Sequence, residues 1–146
     1  MDDVDRALLR RLQDDATQPY AALGQAVGLS AAAAHERVRK LRARGVIQRT
    51  TVTIDPDAAG LGVLAFVLVE ANSWMGDAHD AFAAIPEIEE AHIIAGPASV
   101  LLKVRTSDTQ SLQHVLRQIF DIDGVTGTNT IVVLETAFTH PVNLAP

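Results

Sequence analysis

Between Leu29 and Ile47 the chain reads "LSAAAAHERVRKLRARGVI", and five of its twelve Lys and Arg residues fall in those nineteen positions: Arg37, Arg39, Lys40, Arg42 and Arg44. Glu36 is the only acid among them, although the whole chain carries eighteen acids and a formal charge of −6. Guanidinium and ammonium groups at helical spacing can neutralise a row of phosphates. The four alanines before them carry too little bulk to keep a helix away from a partner. On a helical wheel Ala31, Ala34, Val38 and Leu41 fall together and face a core, while Ala32, Glu36, Arg39 and Ala43 fall opposite, with Ala33 and Lys40 beside them. Arg37 and Arg44 take one flank, and His35 and Arg42 the other. Small residues at the front allow close approach to base edges in a major groove, and the cations behind reach its phosphate walls. The plainer alternative is a solvated basic helix face.

The surrounding elements favour the first reading. Asp3 is placed to cap a first helix that runs to about Asp15, with Val4, Ala7, Leu8 and Leu12 on one stripe. Pro19 suits the start of a second helix through Val27, and Gly28 ends it. Ser30 caps the third, basic helix, and Gly45 stops it. Three short helices with "VGLS" as the tight turn before the last form a helix-turn-helix. The β-branched "VIQRTTVTI" after Gly45 predicts a strand beside them.

Charge also divides the chain. Residues 1–60 hold nine basic and eight acidic residues, whereas 61–146 hold three and ten. This predicts two modules with different partners: a helix-turn-helix domain over 1–50, a linker over 51–60, a second domain over 61–140 and a tail over 141–146. In the second domain "LGVLAFVLVEA", "IEEAHIIA", "SVLLKVRT" and "VTGTNTIVVLETAF" read as strands. "DAHDAFAAI" reads as a helix capped by Asp77, with Ala81, Phe82 and Ile85 on its inner face. Ser107 opens a capping box with Gln110 ahead of Leu112, Val115, Leu116, Ile119 and Phe120. The order βαββαβ is ferredoxin-like, so the fold class is α+β. Two helices cover one face of such a sheet, yet the first strand is apolar on both faces: Val63, Ala65, Val67 and Val69 on one, Leu64, Phe66 and Leu68 on the other. That predicts a homodimer through the bare face, with burial by the DNA-binding module as the alternative.

Other chemistry is poorly represented. With no cysteine there is neither a disulfide nor a thiolate site. The five histidines (35, 79, 92, 114 and 140) have no partner at metal-ligand spacing, so neither metal nor cofactor is expected. Glu87, Glu89 and Glu90 read as a solvated turn. The amino terminus lacks the layout of a signal peptide, and the longest apolar run, residues 61–69, is too short for a bilayer, so a cytoplasmic protein without membrane contact is expected.

The D-x-x-D-R start, V-G-L-S, R-V-x-x-L-x-x-x-G-V-I and the D-P…G linker, in that order, resemble the Lrp/AsnC transcription regulators, the feast/famine proteins. The resemblance runs to about residue 138. It implies a non-enzymatic regulator that binds double-stranded DNA, with Ser30, Ala32, Ala33, His35, Glu36, Arg37, Arg39 and Lys40 at the DNA. It also implies dimers that assemble further, commonly to octamers, and an amino-acid effector at a subunit interface. Amino-acid sensors of this family carry a G-x-Y-D-like turn between the second and third strands. Here the turn reads Gly96-Pro97-Ala98-Ser99, with a hydroxyl in place of the acid and one backbone donor removed by proline. Gly96, Ala98 and Ser99 are the candidate effector residues, with hydroxyls from Thr128 and Thr130, unless these threonines serve only as strand formers. Siroheme decarboxylases resemble the same layout, but only Lys103, Arg105 and Arg117 are available there to hold a polycarboxylate. A scaffold that has lost DNA binding is the remaining alternative.

Overall fold

The computed structural model describes residues 1–145, which form two compact units: Met1–Thr53 together with the segment from Phe138, and Ile54–Ala137. Among these residues no helix is long and apolar enough to cross a membrane.

The first unit contains α1 (Asp3–Asp14), α2 (Tyr20–Val27) and α3 (Ala31–Ala43). The cap of α1 is Asp2, one residue ahead of the expected Asp3. Asp2 accepts the Asp5 N–H at 2.8 Å and Asp5 accepts that of Asp2 at 3.2 Å, a reciprocal box that Asp3 has no partner to make. Pro19 caps α2, and Gly28 leaves it in the left-handed region at φ +73°. Ser30 Oγ accepts the Ala33 N–H at 3.1 Å to start α3, and Gly45 follows its end at φ +72°. Leu8, Leu23 and Ala34 are the buried centre, packed by Val4, Leu12, Tyr20 and Val27. Val38 and Leu41 are fully buried, so the inner stripe of α3 holds except at Ala31, which is exposed at the first turn.

Residues 46–54 form no strand. Among the described residues their backbone finds no second strand, and β-propensity cannot supply the missing hydrogen-bond partner. Val52 and Ile54 are 76% and 67% exposed. The segment from Phe138 belongs to this unit, not to the second domain or a free tail. Arg10 donates to the Leu144 carbonyl and Gln13 to that of Val142, both at 3.1 Å.

In the second unit β1 (Val63–Ala71), β2 (Ile88–Ile93), β3 (Val100–Thr106) and β4 (Val125–Val132) form an antiparallel sheet in the order β2-β3-β1-β4. A 3-10 turn, Gly76–Ala78, leads into the short α4 (His79–Ala83), and α5 (Thr109–Phe120) follows β3. Asp77 lies inside that turn and caps nothing, and Ala81 is exposed. Asp108, not Ser107, caps α5: its extended backbone lets its carboxylate accept the Ser111 N–H at 2.7 Å. Ala65, Val67 and Val69 of β1 and Val100, Leu102 and Val104 of β3 are fully buried under Phe82, Leu112, Val115 and Ile119. Each of the larger side chains among them, Val, Leu, Ile or Phe, contributes about 1.5–3 kcal/mol when fully buried.

The opposite sheet face carries two chemistries. Phe66 faces Ile131 on β4, and Leu68 faces Leu101 on β3. Towards the other edge Lys103 and Arg105 meet Glu89 and Glu90, with Arg105 Nε 2.6 Å from Glu89.

Candidate nucleic-acid interface

Helix α3 starts from a close approach. Gly24 is buried in α2, and its carbonyl accepts the Leu29 N–H at 2.8 Å. A Cβ at Gly24 would lie 2.6 Å from the Leu29 carbonyl oxygen and 2.9 Å from that of Ser30. A side chain of any size would push the turn outward, so glycine here sets the position of the Ser30 cap and of the helix it starts.

The basic residues of α3 have separate jobs. Arg37 Nη1 bonds the carboxylates of Asp2 at 2.8 Å and Asp5 at 2.9 Å, and Arg44 lies 3.7 Å from Asp5. The hydrogen bonds from Arg37 to Asp2 and then Asp5 raise its already high pKa. Asp2 is held below the usual carboxylate range, first by the Asp5 N–H and then by Arg37. Arg37, expected at the DNA, pairs here with the start of α1, a contact the helix wheel does not reveal because it shows a flank but not what packs beside it. These pairs tie α3 to the start of α1. Asp2 and Asp5, absent from the expected site, are the partners of Arg37. The only sequence signal for them was the pair of acids at capping-box spacing.

His35 packs edge-on to Tyr20, with ring centroids 4.7 Å apart. Ala32 is exposed and Ala33 half-buried, leaving the front of the helix low and open. On that side Glu36 accepts from Arg39 Nε at 2.8 Å and Nη2 at 2.7 Å, with Lys40 Nζ 3.7 Å away. These contacts, led by the Arg39 hydrogen bonds, hold the Glu36 carboxyl down at about 2. A hollow of about 450 Å³ lies between Arg39, Lys40 and Ala43 and the flank of Asp5, Arg37 and Arg44. Arg42 reaches only Thr50, at 3.5 Å. The arrangement can seat polyanionic backbone while small side chains approach a groove floor.

In the second unit the expected effector residues are not gathered. Gly96 takes φ +144° and the turn closes through the Ile94 N–H to the Ser99 carbonyl at 3.1 Å. The Ser99 N–H then bonds the Val69 carbonyl at 2.9 Å, which ties the turn to β1. Thr128 and Thr130 pair with Val69 and Val67 on the far side of β1, so a whole strand separates them from Gly96, Ala98 and Ser99. They also share the helix-covered face with those valines. The sequence order of the strands does not show which of them becomes central.

The chain matches the AsnC-type helix-turn-helix domain over residues 1–42 and the Lrp/AsnC ligand binding domain over residues 64–142. It belongs to the Lrp/AsnC family. The transcriptional regulator FL11 of Pyrococcus horikoshii is 36% identical over 93% of this chain and 91% of its own length. The structure of E. coli AsnC superposes with a TM-score of 0.88 at 30% identity, covering 97% of each chain. The feast or famine regulatory protein of M. tuberculosis, solved in complex with L-methionine, superposes with a TM-score of 0.91 at 32% identity, covering 99% of each chain. Among Lrp/AsnC proteins the α+β arrangement of helix-turn-helix and four-stranded sheet is thus shared along nearly the whole chain.

Proposed function

We propose that this Lrp/AsnC protein is a sequence-specific, DNA-binding transcriptional regulator whose second unit responds to an amino acid or a related small metabolite. The observation that carries the reading is the front of α3, where Ala32 and Ala33 leave room beside Glu36, Arg39 and Lys40. Division of labour follows the two units, with residues 1–50 on DNA and the sheet domain for effector and assembly. The half-apolar sheet face of Phe66, Leu68, Leu101 and Ile131 pairs two copies in a homodimer, which assembles further towards an octamer. Two copies of α3 then enter successive major-groove faces, about 34 Å apart or a multiple of it. Gly96, Ala98 and Ser99 serve the effector at a subunit boundary. With no carboxylate in that turn, the ligand's ammonium group must find its partner elsewhere.

The test is a titration of a duplex carrying the promoter of its own gene against a random duplex at two salt concentrations. Salt-sensitive binding that prefers the promoter is expected. Arg39→Ala or Lys40→Ala should each lower the log–log salt slope by about 0.9 per α3 helix on the DNA, one phosphate contact, and so by about 1.8 for a dimer that seats both helices. Binding by neither duplex at low salt would sink the reading. Unchanged slopes for both variants would remove these residues from the interface.

A further inference from the structure

We propose that Glu36 makes DNA affinity conditional on sequence: its carboxylate holds Arg39 away from phosphate until a base amino group takes the carboxylate in exchange. The inference rests on the regulator reading and names a device within the same site.

Glu36 is the only acid between Leu29 and Ile47, and it sits among the cations that should grip the DNA backbone. Its two oxygens are spanned by the Arg39 guanidinium at 2.8 and 2.7 Å, and Lys40 lies 3.7 Å from one of them. The two exposed cations on the open side of α3 thus answer to one carboxylate. Exposed pairs of this kind exchange partners easily, because water and competing ions replace either member. A phosphate competes for Arg39, but freeing Arg39 there leaves Glu36 facing the polyanion with only the more distant Lys40 beside it, which repels. On arbitrary sequence the exchange is therefore unfavourable.

A cytosine presents its N4 amino group in the major groove and can donate to a carboxylate. Such a base takes over Glu36, and Arg39 is released to the backbone. Recognition of the base and capture of the phosphate become one event. An acid in a basic helix lowers affinity everywhere and restores it at the right sequence, so it increases discrimination rather than strength.

The experiment uses full-length wild type, Glu36→Gln, Arg39→Ala and the double variant. Each is titrated by fluorescence anisotropy against a random duplex and against a duplex selected by the wild type from a random library. Glu36→Gln should bind random DNA about ten-fold more tightly near 100 mM salt for each α3 helix engaged, roughly 60-fold for a dimer that seats both, with a slope steeper by about 0.9 per helix, as one freed cation in each requires. Its affinity for the selected duplex should not rise in step, so the ratio between the two falls. The double variant should bind random DNA no more tightly than wild type, and Arg39→Ala alone should bind it more weakly, because its Glu36 has lost its main partner. The proposal is overturned if Glu36→Gln leaves binding to random DNA unchanged or weakens it, or if the double variant still binds it more tightly than wild type. Either result leaves wild-type binding intact, so the regulator reading stands. Wild type that binds neither duplex overturns the regulator reading, and the exchange with it. The Glu36 side chain is 45% exposed, and thermal melts of the variants that match wild type would show that folding is preserved.

Discussion

Replacing Gly24 with alanine tests how α3 is positioned. The added methyl carbon would sit 2.6 Å from the Leu29 carbonyl oxygen and within 3.0 Å of the carbonyl oxygen and carbon of Ser30. These are backbone atoms, so no rotamer change relieves the contact. In a close-packed interior the turn must retreat by about half an ångström. Overpacking of this kind costs about 1–3 kcal/mol. Against it stands a gain of about 1 kcal/mol for alanine over glycine inside a helix. The net expectation is a loss of up to about 2 kcal/mol, or a melting point lower by up to about 15 °C for a unit of this size. Gly28→Ala is the control. It has open space but sits at φ +73°, so it should lose about 1 kcal/mol without moving Ser30. Thermal unfolding followed by NMR separates the units, because the one tyrosine, Tyr20, lies in the first and the one tryptophan, Trp74, in the second. Gly24→Ala should lower the Tyr20 transition and leave that of Trp74. At temperatures where both variants are folded, it should weaken DNA binding more than Gly28→Ala does. A Gly24→Ala protein as stable as wild type, with undiminished DNA affinity, would refute the idea that this approach sets the helix.

Ser30→Ala removes the cap of α3 and should cost about 1 kcal/mol, read as an earlier Tyr20 transition, while Ser30→Asp should retain most of it. Leu68→Lys places a charge in the middle of the open sheet face and should shift the protein to smaller species in sedimentation velocity, with its fold intact by circular dichroism. Acid should destabilise the second unit in a defined window. Asp108 is held below its ordinary value of 3.8, first by the Ser111 N–H, so its contribution is complete above 3.8 and is lost as pH falls through the lower folded value. Asp108→Asn keeps a capping oxygen but cannot titrate, and its urea midpoint should fall less steeply than that of wild type between about pH 4 and 2.

What the sequence by itself determined about this protein is mostly local. Gly28, Ser30 and Gly45 mark the limits of α3 because a left-handed residue or a capping oxygen acts within one turn of chain. The inner stripe of Val38 and Leu41 follows from the helical period, and the strand order βαββαβ from alternating runs and their breaks. The capping residues of α1 and α5 were displaced by one position, since neighbouring Asp and Ser residues compete and only backbone angles choose between them. The Glu36–Arg39 pair was also within reach of a sequence reader, being three residues apart on a helix, although its consequence for DNA was not. Tertiary structure decided the rest. Arg37 meets Asp2 and Asp5 across 35 and 32 residues, and no spacing rule reaches that far. The segment after Gly45 has strand chemistry but no strand to pair with. Phe138 onward returns to the first unit through bonds from Arg10 and Gln13. The threonines of β4 are parted from the Gly96 turn because β1 occupies the centre of the sheet. In each case the outcome depends on which distant surface a side chain or backbone group meets, and periodicity carries no information about that.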